Sequence, residues 1–101
     1  MFPILRFRIE DRSMEPAFKA GDYVLVNKLA YVLRSPSKGD VIVLGHPTEK
    51  KKFLIKRISL VTNSGEYYVV GDNKSFSQDS RHFGSIKKDS IIGKVWIHAK
   101  L

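Results

Sequence analysis

Apolar and polar residues alternate with a period of two along most of this chain, the signature of strands with one covered face. Ile4 to Glu10 sets Leu5, Phe7 and Ile9 on one side and Ile4, Arg6 and Arg8 on the other. Asp22 to Lys28, with Tyr23, Val24, Leu25 and Val26, predicts a second strand. Val41 to Leu44 is a continuous apolar run, as a strand covered on both faces shows. Phe53 to Thr62 predicts the next strand, Asn63-Ser64-Gly65 a hairpin turn, and Glu66 to Val70 its return. Ile91 to His98 makes the last. Between them, residues 11–21 form a broken segment with Pro16 and Gly21, and Leu29 to Arg34 predicts a short helical turn. Thr48 to Lys52 is a solvated basic turn, and residues 71–85 a polar loop too long for a plain connection. Short strands with turn signals and almost no helix predict an all-β fold, a small, strongly coiled sheet or partial barrel. At 101 residues, without linker or repeat, the chain is expected to be one domain, 1–101.

One position breaks the pattern. Within Phe53 to Thr62, alternation points Leu54, Lys56, Ile58 and Leu60 the same way, so Lys56 is a single charge on an apolar face. Burial disfavours the ammonium form, and a neutral amine near pH 7–8 can take a proton from a hydroxyl. A lysine at a sheet edge, its stem snorkelling to water, fits the alternation at least as well. Ser13 is the hydroxyl to consider. It stands in Asp11-Arg12-Ser13-Met14-Glu15-Pro16, on a break whose backbone Pro16 restrains. A nucleophile suits such a turn, with its own N–H free to face an oxyanion. A serine ahead of a Pro-containing loop is also an ordinary turn or cap residue. In the polar loop, Asp79 and Arg81 are placed to form a charge-assisted pair, and Ser77 to orient a lysine amine.

Composition narrows the chemistry. The chain has no cysteine, which removes disulfides, thiol catalysis, iron–sulfur clusters and Cys-ligated zinc. His46, His82 and His98 lack metal-ligand spacing and read as surface or turn residues, and no phosphate loop is visible, so no metal and no cofactor are expected. A formal charge of +8 favours anionic partners, although the basic residues are spread out apart from 50–52 and 87–88. Charges interrupt every apolar run well short of the roughly 20 residues of a spanning helix. The expectation is therefore a soluble chain, cytoplasmic or peripheral at a membrane. Phe2, Ile4 and Leu5 are candidates for touching a membrane surface, or for packing as a first strand.

Four stretches occur together in order: Ser13-Met14-Glu15-Pro16; Gly39-Asp40-Val41-Ile42-Val43; Ile55-Lys56-Arg57-Ile58; and Gly71-Asp72-Asn73 followed by Ser77, Asp79-Ser80-Arg81 and Gly84. This set resembles the signal peptidase I family of Ser/Lys-dyad proteases, from about Ile9 to Ile97. The short length, and the tight spacing from His46-Pro47 to Lys56, are similar to nickel-type superoxide dismutase maturation proteases, whereas Lys28 to Arg34 looks more like the general signal peptidases. The resemblance implies a coiled all-β domain. Ser13 would be the nucleophile, and Lys56 the general base that later protonates the leaving amine. Ser77 would orient Lys56, Asp79 and Arg81 would brace the loop, and Met14 would line the substrate cleft. It also implies an N-terminal membrane anchor, which is not seen, so that either a soluble type or a piece lacking its anchor is expected, and Ala17 stands where threonine is common. Two residues before the nucleophile, members often carry Ser, Thr or Gly; here the position is Asp11, whose charge opposes an oxyanion.

The function expected is a serine endopeptidase that removes an N-terminal leader or signal peptide from a precursor polypeptide. Two other classes compete. A basic β-barrel can bind single-stranded nucleic acid by cationic contacts and stacking on rings such as Tyr23, Tyr31, Phe53, Tyr67, Tyr68 and Phe76. The aromatics are not interleaved with the lysine cluster, and that reading leaves Lys56 unexplained, so no nucleic acid is expected. A self-cleaving regulatory domain would use the same dyad, but only twelve residues precede Ser13.

Overall fold

The computed structural model describes residues 3–99, with nothing said of the Ala99 side chain, and Phe2 lies outside them. Six strands form one sheet: β1 (Ile4–Arg8), β2 (Tyr23–Asn27), β3 (Val41–Gly45), β4 (Phe53–Val61), β5 (Tyr67–Val70) and β6 (Ile91–Ala99). The order across the sheet is β1-β2-β6-β3-β4-β5, and every pairing is antiparallel. The fold is all-β and the sheet is open, not closed into a barrel. Register shifts interrupt the β2–β6, β3–β6 and β4–β5 ladders. Such bulges bend strands and raise the local twist, which coils the sheet.

Both faces carry a core. Ile42, Leu44, Leu54, Ile58, Val69 and Ile86 pack on one side with Tyr31 and Tyr67. Ile9, Met14, Val24, Val26, Val43 and Ile55 pack on the other. β3 gives Ile42 and Leu44 to the first and Val43 to the second, which is why its sequence is apolar without alternation. Each such aliphatic side chain contributes about 1.5–3 kcal/mol when fully buried.

Alternation misplaces one residue of β4. The register shift between Ile58 and Leu60 inserts an extra residue against β5, so Leu60 turns outward and is exposed. Between β4 and β5, Gly65 adopts φ +82°, a conformation glycine reaches without strain, and its N–H donates to Thr62 O. Leu29 to Arg34 is not helical. It is a string of turns, anchored by the Tyr31 hydroxyl donating to Asp40 Oδ2 at 2.7 Å. The long polar loop holds a 3-10 turn, Lys74–Phe76, and a short helix, α1 (Ser80–Phe83).

Two of the histidines read as surface or turn residues are less exposed than a surface placement implies, although His46 does stand at a turn. The His46 side chain is buried against the Phe83 ring, and its Nδ1 accepts the N–H groups of Thr48 and Glu49, ordering that turn. His98 packs on Phe18, with Nε2 2.7 Å from Asp22 Oδ2. Among the described residues, no helix is long and apolar enough to cross a membrane.

The coiling has one result that matters for chemistry. Residues 12–14, which follow β1, meet residues 72–73, which follow β5. Asn73 N–H donates to Ser13 O at 2.8 Å, the Asn73 side-chain amide donates to Arg12 O at 3.1 Å, and Asp72 N–H reaches Met14 Sδ at 3.4 Å. The two ends of the strand order thus meet through their loops.

Candidate active site

Ser13 sits in a series of tight turns. Glu15 N–H donates to Arg12 O and Phe18 N–H to Met14 O, and the Glu15–Pro16 peptide is cis. The residue is 1% exposed, and its Oγ has no hydrogen-bond partner among the described residues. A buried hydroxyl left unpaired costs about 1–3 kcal/mol, and such atoms are rare enough to call for a functional account. The Ser13 N–H is not free. It donates to Asp11 Oδ1 at 3.0 Å.

Lys56 comes from the middle of β4, opposite Ile42 of β3. It shares its face with the core residues Leu54 and Ile58, and is 1% exposed. It therefore does not snorkel. Burial pushes its amine below the ordinary lysine value of 10.5, and Arg81 and Lys52 act the same way. Asp11 and Asp79 oppose them by favouring the ammonium form. Nζ lies 3.3 Å from Ser77 Oγ, to which it donates. Donation to Ser77 leaves the lone pair of a neutral amine available for another hydroxyl. No hydrogen bond joins it to Ser13 Oγ.

Ser77 passes the contact on, since its Oγ donates to Asp79 Oδ2. Asp79 is fully buried and is the most heavily bonded side chain of the region. It accepts Gly71 N–H at 2.8 Å, Arg81 N–H at 3.0 Å and Arg81 Nε at 2.9 Å, and it also pairs with Arg81 Nη2. Arg81 and Asp79 are thus brought together across the start of α1, where Asp79 is the N-cap and His82 completes a capping box. Burial pushes the Asp79 carboxyl up, but the bonds from Arg81, Ser77 and Gly71 outweigh it and hold the group well below the usual carboxylate range.

A depressed carboxyl contributes stability that is present above its ordinary value of 3.8 and is lost as pH falls towards its folded value. Asp79→Ala should lower the unfolding free energy by about 2–4 kcal/mol, because it strands the Gly71 N–H and the Ser77 hydroxyl, while Arg81 can turn to water. Urea unfolding between pH 2 and 7 checks both points. Wild type should lose stability steeply below about pH 4, and Asp79→Asn should flatten that loss.

Gly71 fits between the two serines. A β-carbon there would stand 2.2 Å from Ser77 Oγ and 2.7 Å from Ser13 O, so no side chain can replace its hydrogen without parting them. Beside it, Arg57 grips Asp72 with two bonds of 2.9 Å, Nε to Oδ1 and Nη2 to Oδ2. This bidentate pair ties β4 to the loop after β5 and gives Arg57 a role beyond that of a free surface cation. The Arg12 guanidinium stacks over the exposed Phe76 ring at 4.6 Å. Met14 does not line a cleft. It is fully buried, in the core formed by Ile9, Val24, Val26, Val43 and Ile55.

A groove of about 430 Å³ runs between residues 6–11 and 51–54, with Asp11 in its wall. β1 is an edge strand, and β4 pairs with β5 only from Arg57 onward, so both walls offer unpaired backbone. A second hollow, of about 380 Å³ between Tyr31, Arg34, Lys94 and Trp96, contains none of the candidate residues. Among the described residues, no group of three His, Cys, Asp or Glu side chains could hold a metal ion.

The site therefore gathers Ser13, Lys56, Ser77, Asp79 and Arg81 from three separate stretches of chain. Sequence reasoning missed the engagement of the Ser13 N–H by Asp11, the packing role of Gly71, and the Arg57–Asp72 pair. An acidic residue two positions before a turn N–H is the usual pattern of an Asx turn, and was the available signal for the first. The other two depend on contacts between distant segments.

The family described as signal peptidase, peptidase S26, matches residues 1–61 and 60–99. Signal peptidase I V of Bacillus subtilis is 27% identical over 139 aligned positions, covering 88% of this chain and 82% of that protein. Signal peptidase IB of Staphylococcus aureus is 29% identical over 146 positions, covering 93% of this chain and 76% of that protein. Both alignments exceed 101 residues, so these relatives carry segments that this chain lacks. Signal peptidase I of Aquifex aeolicus is 46% identical over 72 positions, covering 68% of this chain but 27% of that protein. With a family match along nearly its whole length and a buried serine, lysine and aspartate gathered at one seam of a coiled sheet, the chain belongs to the signal peptidase family, peptidase S26.

Proposed function

We propose that residues 1–101 form one peptidase-like catalytic domain, a serine endopeptidase that removes an N-terminal leader or signal peptide from precursor proteins by a Ser13/Lys56 dyad. The observation that carries this reading is the unpartnered, buried hydroxyl of Ser13, supported by a buried Lys56 amine whose partner Ser77 stands against Gly71, as Ser13 O does. Neutral Lys56 takes the Ser13 proton as Oγ attacks the scissile carbonyl carbon, and the carbonyl π electrons move onto oxygen. The resulting oxyanion is bound by the Ser13 N–H. Collapse of the tetrahedral intermediate expels the amine, to which the Lys56 ammonium returns the proton. Water then attacks the acyl carbon as Lys56 takes its proton; the second tetrahedral intermediate collapses by breaking the bond to Ser13 Oγ, which regains that proton from the Lys56 ammonium, and the leader departs with a free carboxyl terminus. Ser77 holds the amine through its bond to Nζ, and Asp79 with Arg81 fixes Ser77.

The precursor lies extended in the groove between residues 6–11 and 51–54, pairing with the free backbone of its walls. Peripheral contact with a membrane belongs to the same reading, through exposed Leu29, Val32, Leu33 and Trp96, with Lys28 and Arg34 at the ends of that turn.

The test is direct. The purified chain is incubated with a leader-bearing precursor of a small secreted protein, and the products are weighed by mass spectrometry. One cut at the leader junction, with the serine and lysine both required, is the expected result. An uncut precursor over the whole range from pH 6 to 10, with a correctly folded chain, would overturn the peptidase reading.

A further inference from the structure

The Asp11 carboxylate is placed against both halves of this chemistry. Its Oδ1 accepts the Ser13 N–H at 3.0 Å, and that N–H is the donor the mechanism assigns to the oxyanion. A carboxylate oxygen at that distance occupies the position to which the developing oxyanion must come, and the two negative charges cannot share one donor. Asp11 also acts on the base, since its charge favours the ammonium form of Lys56 and opposes the effect of burial. Asp79 has the same sign of effect on the amine, but it is buried and its carboxylate is held by Arg81, Ser77 and Gly71. Asp11, by contrast, is exposed on the wall of the groove, and among the described residues no cation forms an ion pair with it. Among the described residues one hydrogen bond holds it in place, and rotation of the side chain releases that bond into solvent.

We propose that Asp11 is a positioning residue that latches the resting site: its carboxylate holds the Ser13 N–H until the carbonyl of an extended substrate displaces it. The proposal rests on the peptidase reading above. The latch acts through Ser13 and Lys56 and touches no reacting atom. It would keep the centre closed in the absence of substrate, at the expense of rate once substrate is bound.

Asp11→Ser and Asp11→Asn test it. The first removes both the charge and the long acceptor; the second keeps a neutral acceptor. Cleavage of the leader-bearing precursor is measured from pH 6 to 10 for both variants and wild type. Both variants should be faster, Asp11→Ser by roughly tenfold or more in kcat/KM, the scale expected when a hydrogen bond to a charged group no longer has to be broken. In both, the acid limb of the rate profile should move to lower pH, because an anion favouring the Lys56 ammonium is gone while Asp79, Arg81 and Lys52 remain around it. A plain turn-forming role for Asp11 predicts equal or lower rates and an unmoved limb, and that outcome overturns the latch.

Hydrogen exchange supplies a readout that does not need activity. The Ser13 amide should be protected in wild type and lose protection in Asp11→Ser, while Asn73, whose N–H donates to Ser13 O, stays protected. An unprotected Ser13 amide in wild type overturns the latch and leaves the peptidase reading standing. Protection that depends on Asp11, with no cleavage by any of the three proteins, overturns the peptidase reading, and the latch with it, while keeping the contact.

Discussion

Replacing Ser13 by alanine should abolish precursor cleavage, with a loss of at least about 10⁴ in kcat, and leave the protein as stable as wild type or more so. The first half follows from the proposed role. Removing the nucleophile of a serine hydrolase leaves only the contribution of binding and oxyanion stabilisation. The second half follows from geometry. The hydroxyl is buried without a partner, so its desolvation is a cost that alanine does not carry. Most substitutions of a buried residue destabilise by about 0.5–3 kcal/mol. A buried position whose truncation stops turnover and raises the melting temperature would be one kept for chemistry. Retained turnover in Ser13→Ala would end the proposal that this hydroxyl attacks. A large drop in stability would mean that Ser13 supports the turn instead.

Lys56→Met should be the second inactive variant, again by about 10⁴-fold or more. Methionine keeps an unbranched side chain of similar length among Leu54, Ile58 and Ile42 and removes the amine. Ser77 keeps its bond to Asp79, so the loop should hold its shape. The pH dependence separates this from a packing defect. On the proposed role the neutral amine is the active form in wild type, so the rate should climb along a limb set below the ordinary lysine value of 10.5. Stability should respond as well. Between the lowered folded value and 10.5 the unfolded chain binds more protons than the folded one, so stability rises with pH across that window. Lys56→Met should erase that rise. Denaturation midpoints at a series of pH values, for wild type and variant, measure it.

Much of this was legible in the chain, and the limits have physical causes. Period-two patterning located the strands, because a strand covered on one face must alternate. It failed at Leu60, where a bulge inverted the faces, and, although the unbroken apolar run of β3 announced a strand covered on both faces, it could not foresee the same for β4. Lys56 stood out because a charge on an apolar face is costly unless used, yet alternation could not distinguish a buried amine from one that snorkels. The Asp79–Arg81 pair was readable because both partners lie within one turn of chain. The contacts of Gly71, and the Arg57–Asp72 pair, were not, since they join segments whose approach depends on how far the sheet coils. The burial of His46 was hidden for the same reason: it packs on Phe83, from a helix far away in sequence. The Leu29 to Arg34 stretch, expected to make a helical turn, is a string of turns tied down by a tyrosine–aspartate bond to a residue outside it.

The meeting of residues 12–14 with residues 72–73 has a consequence for when the enzyme exists at all. Each side of that junction follows an outermost strand: Ser13 comes from the N-terminal side alone, and Lys56, Ser77, Asp79 and Arg81 from the other, so neither half of the chain holds both. Under the proposed dyad, a nascent or fraying molecule with either margin undone parts Ser13 from Lys56 and should be inert. On that reading, hydrolytic competence arrives only with the finished architecture, and neighbouring polypeptides are spared indiscriminate cutting while the protein is being made.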